Sequence, residues 1–244
     1  MRSFFLRRKK NKLQRLSFHS RVVLIISAVL IVVGTIVFFL LELGNTIADV
    51  PWGSKFFISL FQSITCRTAG FNTVDISILS NSTLFFMIIL MFIGASPGSC
   101  GGGIKTTTAG VIGAMLHARF KNHQEVNIAY RRLPEEVVSR AISIAFFSSV
   151  IIVMATILLM IFEQGSISHQ ASSGLFLESL YEVVSAFGTV GLSTGLTSTL
   201  SATGKIILVL TMFIGRLGPL TIALAIGRKQ LPSFKYAEEK LLIG

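Results

Sequence analysis

Two stretches of this chain repeat each other at a fixed distance. Thr68-Ala69-Gly70-Phe71-Asn72-Thr73 and Thr189-Val190-Gly191-Leu192-Ser193-Thr194 share the pattern Thr-x-Gly-apolar-polar-Thr, and 189 − 68 = 121. Met91-Phe92-Ile93-Gly94 returns as Met212-Phe213-Ile214-Gly215, and 212 − 91 = 121 again. Leu41-Glu42 matches Phe162-Glu163 at the same offset. Equal offsets without a gap make an internal repeat, which limits the fold to two copies of one unit. In each copy a short apolar run precedes the Thr-x-Gly motif and a longer apolar segment follows it.

Composition says which solvent those segments meet. The chain is 52% hydrophobic and 14% charged over 244 residues, with a mean hydropathy of +0.74. Soluble domains carry roughly 25% charged residues, so this chain is expected to lie in a membrane. The net charge of +11 raises nucleic acid as a partner. The basic residues, however, sit at the ends of apolar runs, as topological charge does, and no nucleic-acid partner is expected. Cys66 and Cys100 lie in different segments without metal-ligand spacing, and His19, His117, His123 and His169 are scattered.

Read in order, residues 1–21 form a basic cytoplasmic N-terminus. The apolar run 22–41 has about the 20 residues needed to cross a bilayer and is too long for the apolar region of a signal peptide. The first repeat covers 22–118, with a span at 22–41, a pore helix at 54–67, a filter at 68–71 and a broken span at 83–117. Ser54 is expected to cap that pore helix. A cytoplasmic linker covers 119–140. The second repeat covers 141–227, with a span at 141–162, a pore helix at 174–188, a filter at 189–192 and a span at 205–226; a cytoplasmic tail follows at 228–244. Both pore helices are too short to cross, so they are re-entrant. The non-helical backbone after them is tolerated only if protein buries it or it lines a watery cavity. Arg119, Lys121, Arg131, Arg132 and Arg140 mark the inner side, while the outer segments hold chiefly Lys55, Arg67 and Lys205. That asymmetry puts both termini in the cytoplasm. The fold class expected is an all-α, multi-pass membrane protein of two parallel span–pore-helix–span repeats.

The repeated motif suits a dehydrated cation. Backbone carbonyls replace the lost water in cation filters, as in the Thr-Val-Gly-Tyr-Gly loop of potassium channels. Thr189-Val190-Gly191-Leu192 resembles its first half, and Thr68-Ala69-Gly70-Phe71 resembles it less closely. Glycine permits the backbone angles that aim carbonyls at an axis, and helix C-termini aimed at the same point favour a cation. Two repeats supply two walls where a ring needs about four. Between the apolar halves of the broken span lie Gly94, Ala95, Ser96, Pro97, Gly98, Ser99, Cys100, Gly101, Gly102 and Gly103, a flexible loop placed where a gate would sit. The bland alternative is a packing patch of small residues. Arg216 stands where the first copy has Ala95, inside an apolar segment, and its guanidinium suits the freed carbonyls of that loop. Lys105 either snorkels inward or binds the same region. Asp49, Asp75, Glu163 and Glu178 read as an outer rim, and Glu182 as a hydrogen-bonding group behind the second filter.

Long motifs carry a resemblance to a known family. They are Cys66-Arg67-Thr68-Ala69-Gly70-Phe71-Asn72-Thr73, Met91 through Thr106, Ser185-Ala186-Phe187-Gly188-Thr189-Val190-Gly191-Leu192-Ser193-Thr194 and Met212-Phe213-Ile214-Gly215-Arg216-Leu217-Gly218-Pro219. Together they resemble the Trk/Ktr/HKT superfamily of potassium transporters, and within it the third and fourth repeats of the Ktr membrane subunits. The resemblance implies half of a four-repeat pseudo-tetrameric pore in a bacterial plasma membrane. It implies filter glycines at Gly70 and Gly191, with potassium, the transported substrate, held by carbonyls of 68–70 and 189–191. It also implies that the loop 94–103 gates flux and that Arg216 holds it closed. A homodimer on a cytoplasmic ring of nucleotide-binding regulatory subunits is implied too, with sodium as a coupling ion in many members. The first two repeats are absent, as in a truncated product or a partial sequence, and the missing N-terminal half is an expected partner. Cys100 sits where the family usually has Thr or Ser.

Two other classes compete. Gly98-Ser99-Cys100-Gly101-Gly102-Gly103-Ile104-Lys105-Thr106 resembles a phosphate-binding loop, but Ile104 separates the glycine from the lysine and apolar spans flank it. No Ser/His/Asp or paired-carboxylate arrangement suggests an enzyme. A sodium-selective member, or a non-conducting half that assembles with another subunit, also fits the residues.

Overall fold

In a computed structural model, residues 17–123, 125–129, 131–165, 172 and 174–218 are described. The basic N-terminus before residue 17, most of the outer loop 165–173, the end of the last span and the tail 228–244 lie outside them. The described chain is mostly helical. Helix α1 is Phe18–Glu42, α2 Trp52–Thr65, α3 Asn81–Phe92, α4 Thr106–Phe120, α5 Glu135–Gln164, α6 Leu175–Gly188, α7 Leu196–Thr199 and α8 Ala202–Leu217.

Length separates two kinds of helix. At 1.5 Å per residue α1 and α5 run about 37 and 45 Å, more than the roughly 30 Å of a hydrocarbon core. Both are long and apolar enough to cross a membrane. Helices α2 and α6 have 14 residues each, about 21 Å, and cannot cross. Leu24, Val29, Val32, Ile36 and Leu40 on α1, Phe146, Val153, Ile157 and Ile161 on α5, and Ile206, Val209 and Phe213 on α8 are exposed. So much contiguous apolar surface belongs against lipid, not water.

The core lies where the short helices pack. Helix α1 runs along α2, and α6 sits among α3, α5 and α8. Phe38, Cys66, Met87, Met91, Tyr181, Val183 and Phe187 form its centre. A carboxylate pins one end of each long helix. Glu42 accepts hydrogen bonds from Ser80 N (3.0 Å) and Thr83 Oγ1 (2.5 Å) at the start of α3. Glu163 accepts from Ser201 N (3.1 Å) and Ser201 Oγ (2.5 Å) at the start of α8. Ser80 and Ser201 are also the N-caps, accepting from Thr83 N and Gly204 N, each at 3.2 Å.

Several expected boundaries move. Helix α2 starts at Trp52 and ends at Thr65 rather than covering 54–67. Pro51, with its preset φ, is its N-cap, and Ser54 is not. The broken span has its halves at α3 and α4, from residue 81 to 120 rather than 83 to 117. The linker 119–140 is shorter than expected, because α5 already begins at Glu135, capped by Pro134. It holds a hairpin pairing Asn127 with Arg132 and Ile128 with Arg131, a departure from the all-helical expectation, as is the bridge between Ile93 and Ile104. Two-residue strands leave no alternation for a sequence to display. Helix α6 starts at Leu175, one residue after 174, and α8 begins at Ala202 rather than 205.

Candidate functional site

The two Thr-x-Gly loops adopt one backbone pattern. Thr68 and Thr189 have φ of 71° and 52°, and Gly70 and Gly191 have φ of 78° and 90°. A left-handed conformation suits glycine but is rare for a β-branched residue, so each threonine is held there by its surroundings. In a strand successive carbonyls alternate sides. Inserting left-handed residues at every second position cancels that alternation.

Hydrogen bonds orient the peptide planes. Ala69 N donates to Thr65 O at 3.2 Å, and Val190 N donates to Ser185 O at 2.9 Å. In a trans peptide the preceding carbonyl points the opposite way, so the carbonyls of Thr68 and Thr189 face away from their helices. Phe71 N donates to Thr65 Oγ1 at 3.0 Å, which turns the Gly70 carbonyl outward likewise. The fourth carbonyl of each loop is turned back instead. Thr65 Oγ1 donates to Phe71 O at 2.5 Å, and Ser185 Oγ donates to Leu192 O at 2.6 Å.

The two loops meet. A Cβ on Gly191 would lie 3.6 Å from Gly70 Cα, and a Cβ on Gly70 would collide with the Val190 carbonyl oxygen. Behind the second loop Glu182 accepts from Ser193 Oγ (2.6 Å), Thr194 N (2.9 Å), Thr194 Oγ1 (3.1 Å) and Thr197 Oγ1 (2.5 Å). Behind the first, Gln62 Nε2 donates to Thr73 Oγ1 at 3.3 Å.

The segment between α3 and α4 is non-helical and folds against these loops. Gly94, Ala95, Gly101, Gly102, Gly103 and Ile104 are buried, while Gly98, Ser99 and Cys100 form an exposed tip and Ser96 and Pro97 are half-buried. Gly102 N donates to Thr189 Oγ1 at 2.7 Å, and Gly103 N donates to Phe187 O, the end of α6, at 3.2 Å. Gly101 approaches Thr68 so closely that a Cβ there would lie 2.8 Å from its Oγ1. Two cations grip adjacent carbonyls of the tip: Arg216 Nη1 donates to Cys100 O and Lys105 Nζ to Gly101 O. Arg216, from α8, therefore reaches the loop, and Lys105 turns back onto it.

Other expected residues scatter. The Phe71 side chain is 70% exposed, Leu192 is buried, and Cys66 and Cys100 are free thiols far apart in burial. Asp75 accepts from Ser77 Oγ (2.7 Å) and Ser77 N (2.9 Å). Those two donors hold its carboxyl below its ordinary value. Glu182 accepts hydrogen bonds behind the second loop, as expected, whereas Glu163, expected at a rim, accepts from Ser201 N and Oγ. Sequence reasoning missed Thr65, Ser185, Gln62, Thr73 and Thr197.

The model of the TrkH cation transport protein family matches residues 2–239. The Ktr system potassium uptake protein D of Bacillus subtilis is 41% identical over 216 residues, covering 88% of this chain and 46% of that protein. The Ktr system potassium uptake protein B of Vibrio alginolyticus is 37% identical, over 94% of this chain and 49% of its own length. The potassium/sodium uptake protein NtpJ of Enterococcus hirae is 32% identical, over 96% and 52%. The crystal structure of the potassium transporter TrkH from Vibrio parahaemolyticus superposes with a TM-score of 0.68 at 20% identity, over 83% of this chain and 43% of that one. The chain spans about half the length of the curated relatives it matches. It belongs to the TrkH cation transport protein family.

Proposed function

We propose that this chain supplies two walls of a potassium-selective pore, and that the assembled protein takes up potassium across the bacterial plasma membrane. One observation carries the reading. Two loops with left-handed Thr and Gly meet at the ends of two helices too short to span, and the segment between α3 and α4 is held against both. Carbonyls of 68–70 and 189–191 stand in for the water of a dehydrated potassium ion. The C-terminal ends of α2 and α6 add partial negative charge at the same place. Potassium is the substrate, and the relatives named for potassium uptake support that choice.

The two units are parallel repeats, half of a four-repeat pore, and the missing N-terminal half supplies the other walls. Both termini are cytoplasmic. The loop 94–103 gates the pore, with Arg216 and Lys105 holding it shut. By family resemblance the assembly is a homodimer on a cytoplasmic nucleotide-binding ring, with sodium as coupling ion. The work is transport and not catalysis. A sodium-conducting pore is the second reading, favoured by the name of the Enterococcus hirae relative.

The test is uptake in a potassium-transport-deficient bacterium expressing this chain, alone and with a separately encoded first half. Rescue at limiting potassium is expected, and Gly70→Ser and Gly191→Ser should abolish it. Conduction indifferent to both substitutions would remove the filter assignment. Sodium uptake exceeding potassium uptake would establish the second reading.

A further inference from the structure

Among the described residues, five buried helical hydroxyls share one habit, while Ser63 and Thr83 bond to α1, at Ile31 O and Glu42, and two more turn to the loops. Thr35, Ser59, Ser148, Thr156 and Thr211 each donate to the carbonyl four residues back, at 2.7 to 2.8 Å. That bond needs nothing outside the helix. Thr65 and Ser185, in the last turns of α2 and α6, reach forward instead, to Phe71 O and Leu192 O. They are 1% and 3% exposed, so each hydroxyl must find a partner. The partner in both cases is the fourth carbonyl of a Thr-x-Gly loop.

The coincidence goes further. The same two residues accept, through their own carbonyls, the amides of Ala69 and Val190. Each thus bonds a second-position amide and a fourth-position carbonyl of its loop, and Thr65 Oγ1 also accepts from Phe71 N. Yet the two are not matched by the 121-residue offset, since 185 − 65 = 120. The shared bonding arises at different sequence positions, so it is tied to the loop and not to the copied helix.

We propose that Thr65 and Ser185 are positioning residues that set the ion preference of the pore. The idea rests on the filter reading above and adds a limit to it. Turning back Phe71 O and Leu192 O ends the run of cation-facing carbonyls at Gly70 and Gly191. It also fixes the span of each loop, because a loop anchored at its second and fourth residues cannot narrow around a smaller ion. Selectivity between potassium and sodium depends on the number, spacing and freedom of the coordinating oxygens. Without the hydroxyls, the fourth carbonyls are free to swing toward the axis and the loops are free to contract.

The test compares Thr65→Val and Ser185→Ala with the hydroxyl-keeping Thr65→Ser and Ser185→Thr, in the chain co-expressed with the first half. Potassium and sodium uptake are measured separately, with membrane content checked by immunoblot. Loss of one hydrogen bond predicts a fall in the potassium-to-sodium ratio of about three- to tenfold, with the ratio retained in the hydroxyl-keeping pair. A ratio unchanged in Thr65→Val and Ser185→Ala, with both fluxes falling together, would make the hydroxyls merely structural and overturn the proposal. Insensitivity to Gly70→Ser and Gly191→Ser would instead overturn the filter reading itself. If the assembly carries too little flux, the same variants are compared by thermal stabilisation of purified protein in KCl against NaCl. A wild-type preference for KCl that is lost in Thr65→Val and Ser185→Ala supports the proposal, and equal behaviour of all variants overturns it.

Discussion

The two Thr-x-Gly loops share a backbone and differ in what stands behind them. Glu182 is 4% exposed and takes four hydrogen bonds from Ser193, Thr194 and Thr197. Gln62 gives one long bond to Thr73, and its Oε1 has no partner among the described residues. The helices differ likewise. Helix α6 is buried from Tyr181 to Gly188, whereas Phe56, Phe57, Phe61 and Ile64 of α2 are exposed. The segment between α3 and α4 also donates a hydrogen bond to the second loop, at Thr189. The same main-chain shape can therefore be held by a charged, fully used acceptor or by a neutral, half-used one. The second loop has the fuller hydrogen-bonded support and the first the sparser one.

The largest effect should come from the carboxylate. Glu182→Ala strands the Thr194 amide and three hydroxyl groups, and should lower stability by about 3 kcal/mol. Gln62→Ala should cost about 1 kcal/mol. Equal shifts in thermal unfolding of the detergent-purified variants would break the comparison. Next come the glycines. Gly70→Ala adds a collision with the Val190 carbonyl to the cost of a left-handed alanine, while Gly191→Ala meets only Gly70 Cα at an ordinary 3.6 Å. The first should cost about 2 kcal/mol or more and the second about 1 kcal/mol, measured the same way. Reversal of that order would mean the loops do not meet as described.

A smaller effect is expected at the loop tip. Arg216→Ala frees Cys100 O and should raise uptake roughly fivefold, about the factor for one hydrogen bond. Lys105→Ala frees Gly101 O and should act in the same direction. Reduced uptake in both, at unchanged membrane content, would remove their holding role. Smallest of all, Thr73→Val deletes one 3.3 Å bond and should move stability by less than about 0.5 kcal/mol. Thr194→Val, which loses a contact to a carboxylate, should cost more, and the difference sharpens the contrast.

Much of this was legible in sequence because it rests on spacing. The offset of 121 marks Thr68 with Thr189, Gly70 with Gly191, Glu42 with Glu163 and Ser80 with Ser201, all of which play matched parts. The run of small residues from Gly94 marks the break between α3 and α4, where no helix forms. The supports behind the loops were hidden for a definite reason. Thr65 aligns with Ala186 and Gln62 with Val183 at that offset, whereas the residues doing the same work are Ser185 and Glu182. The second copy has one more residue between helix and loop, 12 from Glu182 to Thr194 against 11 from Gln62 to Thr73. An alignment keyed to the loops therefore misses their props. A charge inside an apolar segment pointed Arg216 to the loop, but not to the particular carbonyl it takes, Cys100 O, 116 residues away.

The carboxylates at the ends of α1 and α5 carry a mechanical consequence. Glu42 ties the end of α1 to the start of α3, and Glu163 ties the end of α5 to the start of α8. A pin at one end puts the largest displacement of any tilt at the other. Helix α3 has 12 residues, so its far end lies about 18 Å from the pin. A tilt of about 5° there carries that end through about 1.5 Å of arc, by the same 1.5 Å rise per residue. That displacement is enough to part Gly102 N from Thr189 Oγ1, now 2.7 Å apart. By leverage from a fixed pivot, a slight tilt of α3 would be felt at a single contact beside the loops.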